Sequence, residues 1–106
     1  MDRNSVTWAG PMPAVTTPFH FDGRIDEAAF AANLEGLIAA GATGFVVGGC
    51  TGEFWALSHE ERKRLCNVAA EAIAGRVTLI AGTGAISVEE TVALTRHAEA
   101  AGCDGV

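Results

Sequence analysis

The sequence predicts an α/β protein built from repeated strand–loop–helix–turn units. Apolar, β-branched runs recur about every 30 residues, and stretches with helical periodicity separate them. Two of the junctions from helix to strand also share a glycine pattern, A-G-A-T-G-F and A-G-C-D-G-V. Strands that alternate with helices pair in parallel through right-handed crossovers, so this order is typical of a parallel sheet covered by helices.

Four short runs predict the strands. They begin near Ala14, Phe45, Val77 and Val106. The last run has room for only its first residue, so a fourth strand is not expected to pair with the sheet. Because parallel sheets are nearly always complete and covered, the 106 residues are expected to be the N-terminal part of a longer α/β domain.

Three helices are predicted between the strands. The first opens at Asp26 and ends at Gly41, a residue suited to the left-handed position past a helix end. Its apolar stripe consists of Phe30, Leu34, Leu37 and Ile38. The second and third helices open with S-H-E-E at 58–61 and S-V-E-E at 87–90. Both fit the capping box, in which the Ser and Glu side chains satisfy each other's backbone amides.

Two folds use units of this size. Eight units of about 30 residues give roughly the 250 residues of a (β/α)₈ barrel, and an open doubly wound sheet is built from similar units. The period alone does not choose between them. In both folds ligands bind at the carboxyl ends of the strands, so the loops that follow the strands are where functional residues are expected.

Composition and charge argue against several classes of function. The formal net charge of −6 would repel the phosphate backbone of nucleic acid. No apolar run reaches the ~20 residues that span a membrane, and the N-terminus lacks a secretion-signal layout, so a cytoplasmic protein is expected. Cys50, Cys66 and Cys103 fit neither a disulfide framework nor a metal site. Of these, Cys66 and Cys103 are expected to be buried packing residues.

The loop after the second strand run holds the strongest candidates for a site. It reads Gly48-Gly49-Cys50-Thr51-Gly52-Glu53. Its glycines let the backbone approach a ligand, while Cys50 and Thr51 offer a thiol and a hydroxyl beside exposed amides. Such a cradle suits a small carboxylate or phosphate. The alternative is that the glycines only form a tight turn and that Glu53 supports the next segment.

Other candidate groups are weaker. Gly82-Thr83-Gly84 begins like a dinucleotide fingerprint, but Ser87 stands where its third glycine belongs. The segment H-E-E-R-K begins like a zinc-protease motif but has Lys63 in place of the second histidine, so a solvated first turn is expected there. Lys63, the only lysine, is expected to be a solvated cation. His20 and His97 are expected to lie at the surface or in satisfied structural positions.

Six segments recur in order, over nearly the whole chain, at the spacing of one known family. They are AVTTPF (14–19), DGRID (22–26), GCTGE (49–53), LSHEER (57–62), GR (75–76) and IAGTG (80–84). Together they resemble the dihydrodipicolinate synthase and N-acetylneuraminate lyase family. The resemblance implies a (β/α)₈ barrel, with residues 1–106 as the N-terminal part of a single domain that supplies about the first three βα units.

The resemblance also implies an activity. Members of that family are Schiff-base (class I) lyases, commonly homotetramers, that bind pyruvate or another 2-keto acid on a lysine and add or release an aldehyde. They need no cofactor. The resemblance favours the synthase reaction, which condenses pyruvate with an aldehyde. An aldolase or dehydratase of a sugar-derived 2-keto acid stays open, as do two readings from other classes, a non-catalytic partial barrel and a nucleotide-binding module.

Site residues follow from the same resemblance. Thr51 would hold the keto-acid carboxylate, and Gly49 and Gly52, with Glu53, would shape and support the loop. Cys50 takes the place of a catalytic Thr or Ser whose hydroxyl relays a proton to a tyrosine; a thiol is a weaker hydrogen-bond donor, so this relay is expected to differ. The family's Schiff-base lysine and its tyrosine fall outside these 106 residues, which contain no tyrosine and are expected to be inactive alone.

Apolar residues stand at the positions where lysine-inhibited members of the family bind their inhibitor. These positions hold Phe54, Trp55 and Ile86. Because bulky apolar side chains would fill such a site, no inhibition by lysine is expected.

Overall fold

The computed structural model describes Asp2 and residues 4–106. Its helices are α1 (Glu27–Ala39), α2 (His59–Ile73) and α3 (Val88–Ala100), and its strands are β1 (Gly44–Val47) and β2 (Thr78–Ala81). A short 3-10 helix, Phe54–Ala56, lies between β1 and α2. This order confirms the predicted alternation of strands and helices. Within the described part of the chain, no helix is long and apolar enough to cross a lipid bilayer.

The sheet is parallel. In the β1–β2 pair, Gly44 lies opposite Thr78, and the register continues to the last residue of each strand. A shorter segment extends the sheet on each side, because Ala14 forms a parallel bridge with Val46 and Gly105 forms one with Ile80. The four segments therefore lie side by side in their chain order. A (β/α)₈ barrel has this order, whereas the order reverses within an open doubly wound sheet.

The two outer segments correct two predictions. The run at Ala14 forms a single bridge rather than a full strand, with the Val15 N–H donating to the Val46 carbonyl at 3.0 Å. The expectation that the fourth run has no room to pair was wrong. The Gly105 carbonyl accepts a hydrogen bond from the Ala81 N–H at 2.9 Å, because the turn after α3 already delivers the chain alongside β2.

Each helix begins at its predicted capping residue. The Asp26 carboxylate accepts a backbone N–H from the first turn of α1 at 2.9 Å. Ser58 and Glu61 form the complete capping box of α2, with bonds of 2.7 and 3.2 Å. In α3 the box is only half formed. Ser87 Oγ accepts the Glu90 N–H, but the Glu90 carboxylate takes the Ser87 hydroxyl rather than its backbone amide.

The hydrophobic core lies between the sheet and the helices. Its largest fully buried side chains are Phe30, Phe45, Leu34, Leu65, Ile73 and Val47. The predicted stripe of α1 is confirmed, since Leu37 and Ile38 pack at the edge of this cluster. Successive strand residues point to opposite faces, and Val46 and Ile80 are half-buried on the other face. The carboxyl ends of β1 and β2 meet at one edge, where the candidate loops begin.

Two arginine–glutamate pairs at the surface connect α1 to α2 and to the turn that follows α2. Arg64 donates to both carboxylate oxygens of Glu27, at 2.8 and 2.7 Å, and Arg76 binds the carboxylate of Glu35. These hydrogen bonds lower the pKa of both carboxyl groups. Each pair is exposed, so each is expected to contribute little at high salt.

Cys66 and Cys103 are buried, as predicted. They are 37 residues apart in the chain, yet their sulfur atoms lie 3.4 Å from each other. Their contact was not predicted from the sequence; it forms because the packing of α3 against α2 brings them together.

Candidate functional site

The loop after β1 is a series of tight turns. The Glu53 N–H donates to the Cys50 carbonyl at 2.9 Å, and Glu53 itself has a left-handed backbone with φ +56°. This backbone supports the next turn, since the Ala56 N–H donates to the Glu53 carbonyl at 2.8 Å. Cys50 and Thr51 consequently lie at the tip of the loop, where both are exposed.

A buried threonine fixes the base of this loop. The Thr17 side chain is 4% exposed, and its hydroxyl donates to the Gly52 carbonyl at 2.7 Å. A Cβ atom at Gly52 would lie 3.2 Å from the Val15 carbonyl and 3.3 Å from the Gly48 nitrogen. Gly52 is thus held close to the first strand segment, and a larger residue would push the loop away from it.

The loop after β2 packs directly on the loop after β1. The Gly82 N–H donates to the Val47 carbonyl at 2.7 Å. A Cβ atom at Gly82 would lie 2.4 Å from the Gly48 carbonyl oxygen, which is closer than real contacts allow. The close approach of the two backbones therefore explains this glycine without a nucleotide phosphate.

Arg62 of α2 connects the loop after β2 to the 3-10 helix that follows the loop after β1. Its Nη2 donates to the carbonyls of Gly82 and Gly84 at 2.8 and 2.9 Å. Its guanidinium carbon lies 5.0 Å from the centroid of the Phe54 ring, a cation–π distance. Its Nε is buried and has no hydrogen-bond partner in the described part of the chain. Burial lowers the pKa of Arg62, although a guanidinium stays charged at neutral pH.

Sequence reasoning missed the roles of Arg62 and Thr17. The segment H-E-E-R-K was expected to be a solvated first turn, and this was wrong at Arg62, which is half-buried. Both residues stand in the segments that carried the family resemblance, T-T-P-F and L-S-H-E-E-R. Their place in these segments was the sequence signal that could have identified them, because the contacts themselves depend on long-range packing.

The side-chain groups and the backbone N–H groups at the tip of the loop after β1 are unengaged among the described residues. Among Asp2 and residues 4–106, neither the Cys50 thiol nor the Thr51 hydroxyl forms a hydrogen bond. The backbone N–H groups of Cys50, Thr51 and Gly52 likewise donate to none of these residues. Successive free N–H groups beside a hydroxyl can bind a carboxylate. Glu53, expected to support the loop, does so through its backbone N–H and carbonyl, and its side chain forms no hydrogen bond or ion pair with the described residues.

The remaining candidates have structural partners. His97 Nε2 lies 2.9 Å from the Asn67 side-chain oxygen, and His20 is half-exposed at the surface, as predicted. Lys63 differs from its prediction, because its side chain is only 28% exposed and its Nζ donates to Glu60 at 2.9 Å. No group of three or more His, Cys, Asp or Glu side chains suited to a metal ion occurs in the part of the chain that the structure describes.

Comparison with known proteins identifies the family. A model of the dihydrodipicolinate synthetase family matches residues 7–106. The 4-hydroxy-tetrahydrodipicolinate synthase of Hyphomonas neptunium is 50% identical over 95 residues, which are 90% of this chain and 32% of that protein. The crystal structure of N-acetylneuraminate lyase from Mycoplasma synoviae superposes with a TM-score of 0.86 at 40% identity, covering 90% of this chain and 33% of that one.

A second crystal structure shows the same relationship. It is of a prophage protein of E. coli K12 from the dihydrodipicolinic acid synthase family, in complex with pyruvate; the TM-score is 0.89 at 40% identity, over 92% of this chain and 33% of that one. This chain spans about a third of the length of the relatives it matches. These neighbours are barrels, which confirms the predicted class, an α/β chain with about three βα units of a (β/α)₈ barrel. The chain belongs to the dihydrodipicolinate synthetase family.

Proposed function

We propose that the natural gene product containing this chain is a Schiff-base (class I) lyase that acts on pyruvate and an aldehyde. In this proposal residues 1–106 form the N-terminal part of a single barrel domain, and the enzyme is a cytoplasmic homotetramer. Family membership supports the reaction class, and the pyruvate complex of a structural neighbour supports the substrate. The names of several relatives, 4-hydroxy-tetrahydrodipicolinate synthase, favour the synthase reaction.

The observation that carries the proposal is the unengaged tip of the loop after β1. The Thr51 hydroxyl and amide would bind the carboxylate of the keto acid, while Gly49 and Gly52 shape the backbone around it. Hydrogen bonds to a carboxylate are charge-assisted, so they fix the orientation of the keto carbon before an amine attacks it. Thr17 and Arg62, which hold the base of the loop and its neighbour, keep this cradle in place.

Cys50 would be the catalytic residue of this chain. It precedes Thr51 at the exposed tip, so its sulfur can face the same bound acid. The thiol would pass a proton to and from the reacting keto acid. It donates a weaker hydrogen bond than a hydroxyl, so this relay would differ from one through an alcohol.

Trapping the Schiff base tests the proposal. The natural gene product is incubated with pyruvate and reduced with borohydride, and the mass of the intact chain is measured. We expect one reduced pyruvate adduct per chain, and none when pyruvate is omitted. The adduct must persist in a Lys63→Arg variant, because the only lysine of this segment is ion-paired on α2. No adduct with pyruvate or any other 2-keto acid would contradict the lyase and favour a non-catalytic partial barrel.

A second candidate is an aldolase or dehydratase of a sugar-derived 2-keto acid. Cys50 and the aromatic pair after the loop favour it, since Trp55 is 65% exposed and packs edge-to-face on Phe54 at 5.5 Å. An exposed aromatic ring beside the cradle suits the apolar face of a sugar chain. The Cys50→Thr variant separates the candidates. A rise in synthase activity supports the first, and a fall in every activity tested supports the second.

A further inference from the structure

Two buried thiols face each other between α2 and the turn after α3. Cys66 lies on α2, and Cys103 lies two residues before Gly105, which pairs with β2. Their side chains are 6% and 3% exposed, and their sulfur atoms are 3.4 Å apart. A disulfide bond needs a separation of ~2.05 Å. The two sulfur atoms would therefore have to approach by little more than an ångström, which side-chain rotation and small helix shifts supply.

The two thiols are chemically unequal. The contact with the Cys103 thiol lowers the pKa of Cys66, burial opposes this, and the charge of Arg62, one helical turn away, lowers it further. The same contact, together with burial, raises the pKa of Cys103. The thiolate is the reactive form, and Cys66 is the thiol of the pair that ionises more readily and lines a cavity, so it is the sulfur that an oxidant meets first.

A small cavity lies beside Cys66. It measures about 10 Å³, and Arg62, Gly82, Thr83 and His97 contribute to its walls. A cavity of this size holds about one water molecule. Only a reactant close to that size can reach Cys66 without opening the fold, and hydrogen peroxide is such a reactant, whereas a peptide or glutathione disulfide is not.

We propose that Cys66 and Cys103 are an oxidation site, at which hydrogen peroxide converts the two thiols into a disulfide that links α2 to the turn after α3. The Cys66 sulfur attacks one peroxide oxygen and the O–O bond breaks. Cys66 becomes a sulfenic acid, and the departing hydroxide takes a proton to form water. The Cys103 sulfur then attacks the Cys66 sulfur, the S–O bond breaks, and the second water leaves with the thiol proton. Two thiols lose two electrons, and one peroxide becomes two waters.

The link would join elements that carry the candidate loops. Arg62 lies on the same face of α2 as Cys66, and the turn that carries Cys103 leads into the pairing of Gly105 with β2. Oxidation would thus link α2 covalently to the turn after α3. That turn leads to Gly105, which pairs with β2, the strand from which the loop after β2 begins. The proposal concerns thiol chemistry alone, so it stands or falls independently of the lyase activity.

Peptide mapping after peroxide treatment tests the site. The folded gene product is treated with hydrogen peroxide, its free thiols are alkylated, and it is digested with trypsin without reduction. Cleavage after Arg64, Arg76 and Arg96 places Cys66 and Cys103 in different peptides. We expect these two peptides to appear joined and lighter by two hydrogens, in most chains of the wild type and equally in a Cys50→Ser variant.

Exposed Cys50 is the internal reference for oxidant dose. If Cys50 is oxidised while Cys66 and Cys103 are both recovered as alkylated thiols, the proposal is overturned; recovery of links to Cys50 alone also overturns it. The wild type and Cys50→Ser decide this without any change to the core. A Cys103→Ala variant adds a mechanistic readout, because loss of the second thiol should leave Cys66 as sulfenic or sulfinic acid. An unmodified Cys66 in that variant, once shown to be folded, contradicts the order of attack.

Discussion

The loop after β1 and the loop after β2 are both rich in glycine and follow neighbouring strands, but the protein uses them differently. In the loop after β2, two backbone carbonyls and the threonine hydroxyl are bound by the protein itself. The carbonyls of Gly82 and Gly84 accept hydrogen bonds from Arg62, and the Thr83 hydroxyl accepts one from Thr95 at 3.0 Å. This loop is therefore a support.

The loop after β1 has the opposite character. It is anchored at its base by the bond from Thr17 to Gly52, while the Cys50 thiol, the Thr51 hydroxyl and the backbone N–H groups of both residues are left without partners among the described residues. A glycine-rich sequence does not by itself identify a binding loop. The distinction lies in whether its hydrogen-bonding groups are already satisfied, because only free groups can bind a ligand without first breaking a contact.

The largest effect is expected from Gly82→Ala. The new methyl group would overlap the Gly48 carbonyl, a backbone atom that cannot rotate away, so the two loops would be forced apart. We expect the free energy of unfolding to fall by about 3 kcal/mol. Denaturant unfolding measures this, with Gly84→Ala as the matched control, since a Cβ there meets no atom within 4 Å. Equal stability of the two variants would mean that the loops are not in close contact.

A smaller loss is expected from Arg62→Met. The variant keeps an apolar stem on Phe54 but removes both hydrogen bonds to the loop after β2, at a cost of about 2 kcal/mol. Arg96→Met on α3 is the control, because Arg96 is exposed. Thermal unfolding compares them. If Arg62→Met behaves like the control, Arg62 does not support the loop.

Thr17→Val tests the anchor of the loop after β1. The substitution keeps the shape of the side chain and leaves the buried Gly52 carbonyl without its donor, so a loss of about 1 to 2 kcal/mol is expected. Amide hydrogen exchange should also accelerate in residues 49–53. The exposed neighbour provides the matched variant, Thr16→Val, which should change neither quantity. Unchanged exchange in the Thr17 variant would remove the hydroxyl from the anchor.

The smallest effect lies far from both loops, at the exposed ion pair between Glu27 and Arg64. The hydrogen bond from Arg64 lowers the pKa of Glu27 below its ordinary value of 4.5. The folded state therefore favours the charged carboxylate. Its contribution is complete above the unfolded pKa and is lost as the pH falls through the lower folded pKa. The Tm difference between wild type and Glu27→Gln should be small near neutral pH and vanish in acid. A difference that grows in acid would mean that folding raises the pKa of Glu27 instead of lowering it.

Local features of the sequence predicted the helices well. The i, i+4 spacing of Phe30 and Leu34 defines one face of α1, and the S-x-x-E pattern marks where α2 begins, because both interactions span a single helical turn. The half-formed box of α3 shows the limit of this reasoning. The sequence specifies which groups can bond, but the Glu90 side chain had two acceptable donors on Ser87.

The supporting contacts of the site could not be predicted in the same way. Arg62 reaches carbonyls 20 and 22 residues away, and Cys66 meets Cys103 across 37 residues. Such contacts depend on how α2 packs against the strand ends and on α3. Composition and spacing predict a solvated turn at Arg62, since the two residues on each side of it are also charged. Only the fold shows that its guanidinium turns inward.

The most direct test of the central claim is the affinity of the natural gene product for pyruvate in a Thr51→Val variant. This affinity is measured as the pyruvate concentration that gives half of the maximal borohydride-trapped adduct. If the loop after β1 binds the carboxylate through Thr51, removal of the hydroxyl should weaken binding by about 1 to 3 kcal/mol, roughly 5- to 150-fold, while Thr51→Ser stays close to wild type. An unchanged concentration in Thr51→Val would show that the keto acid binds elsewhere.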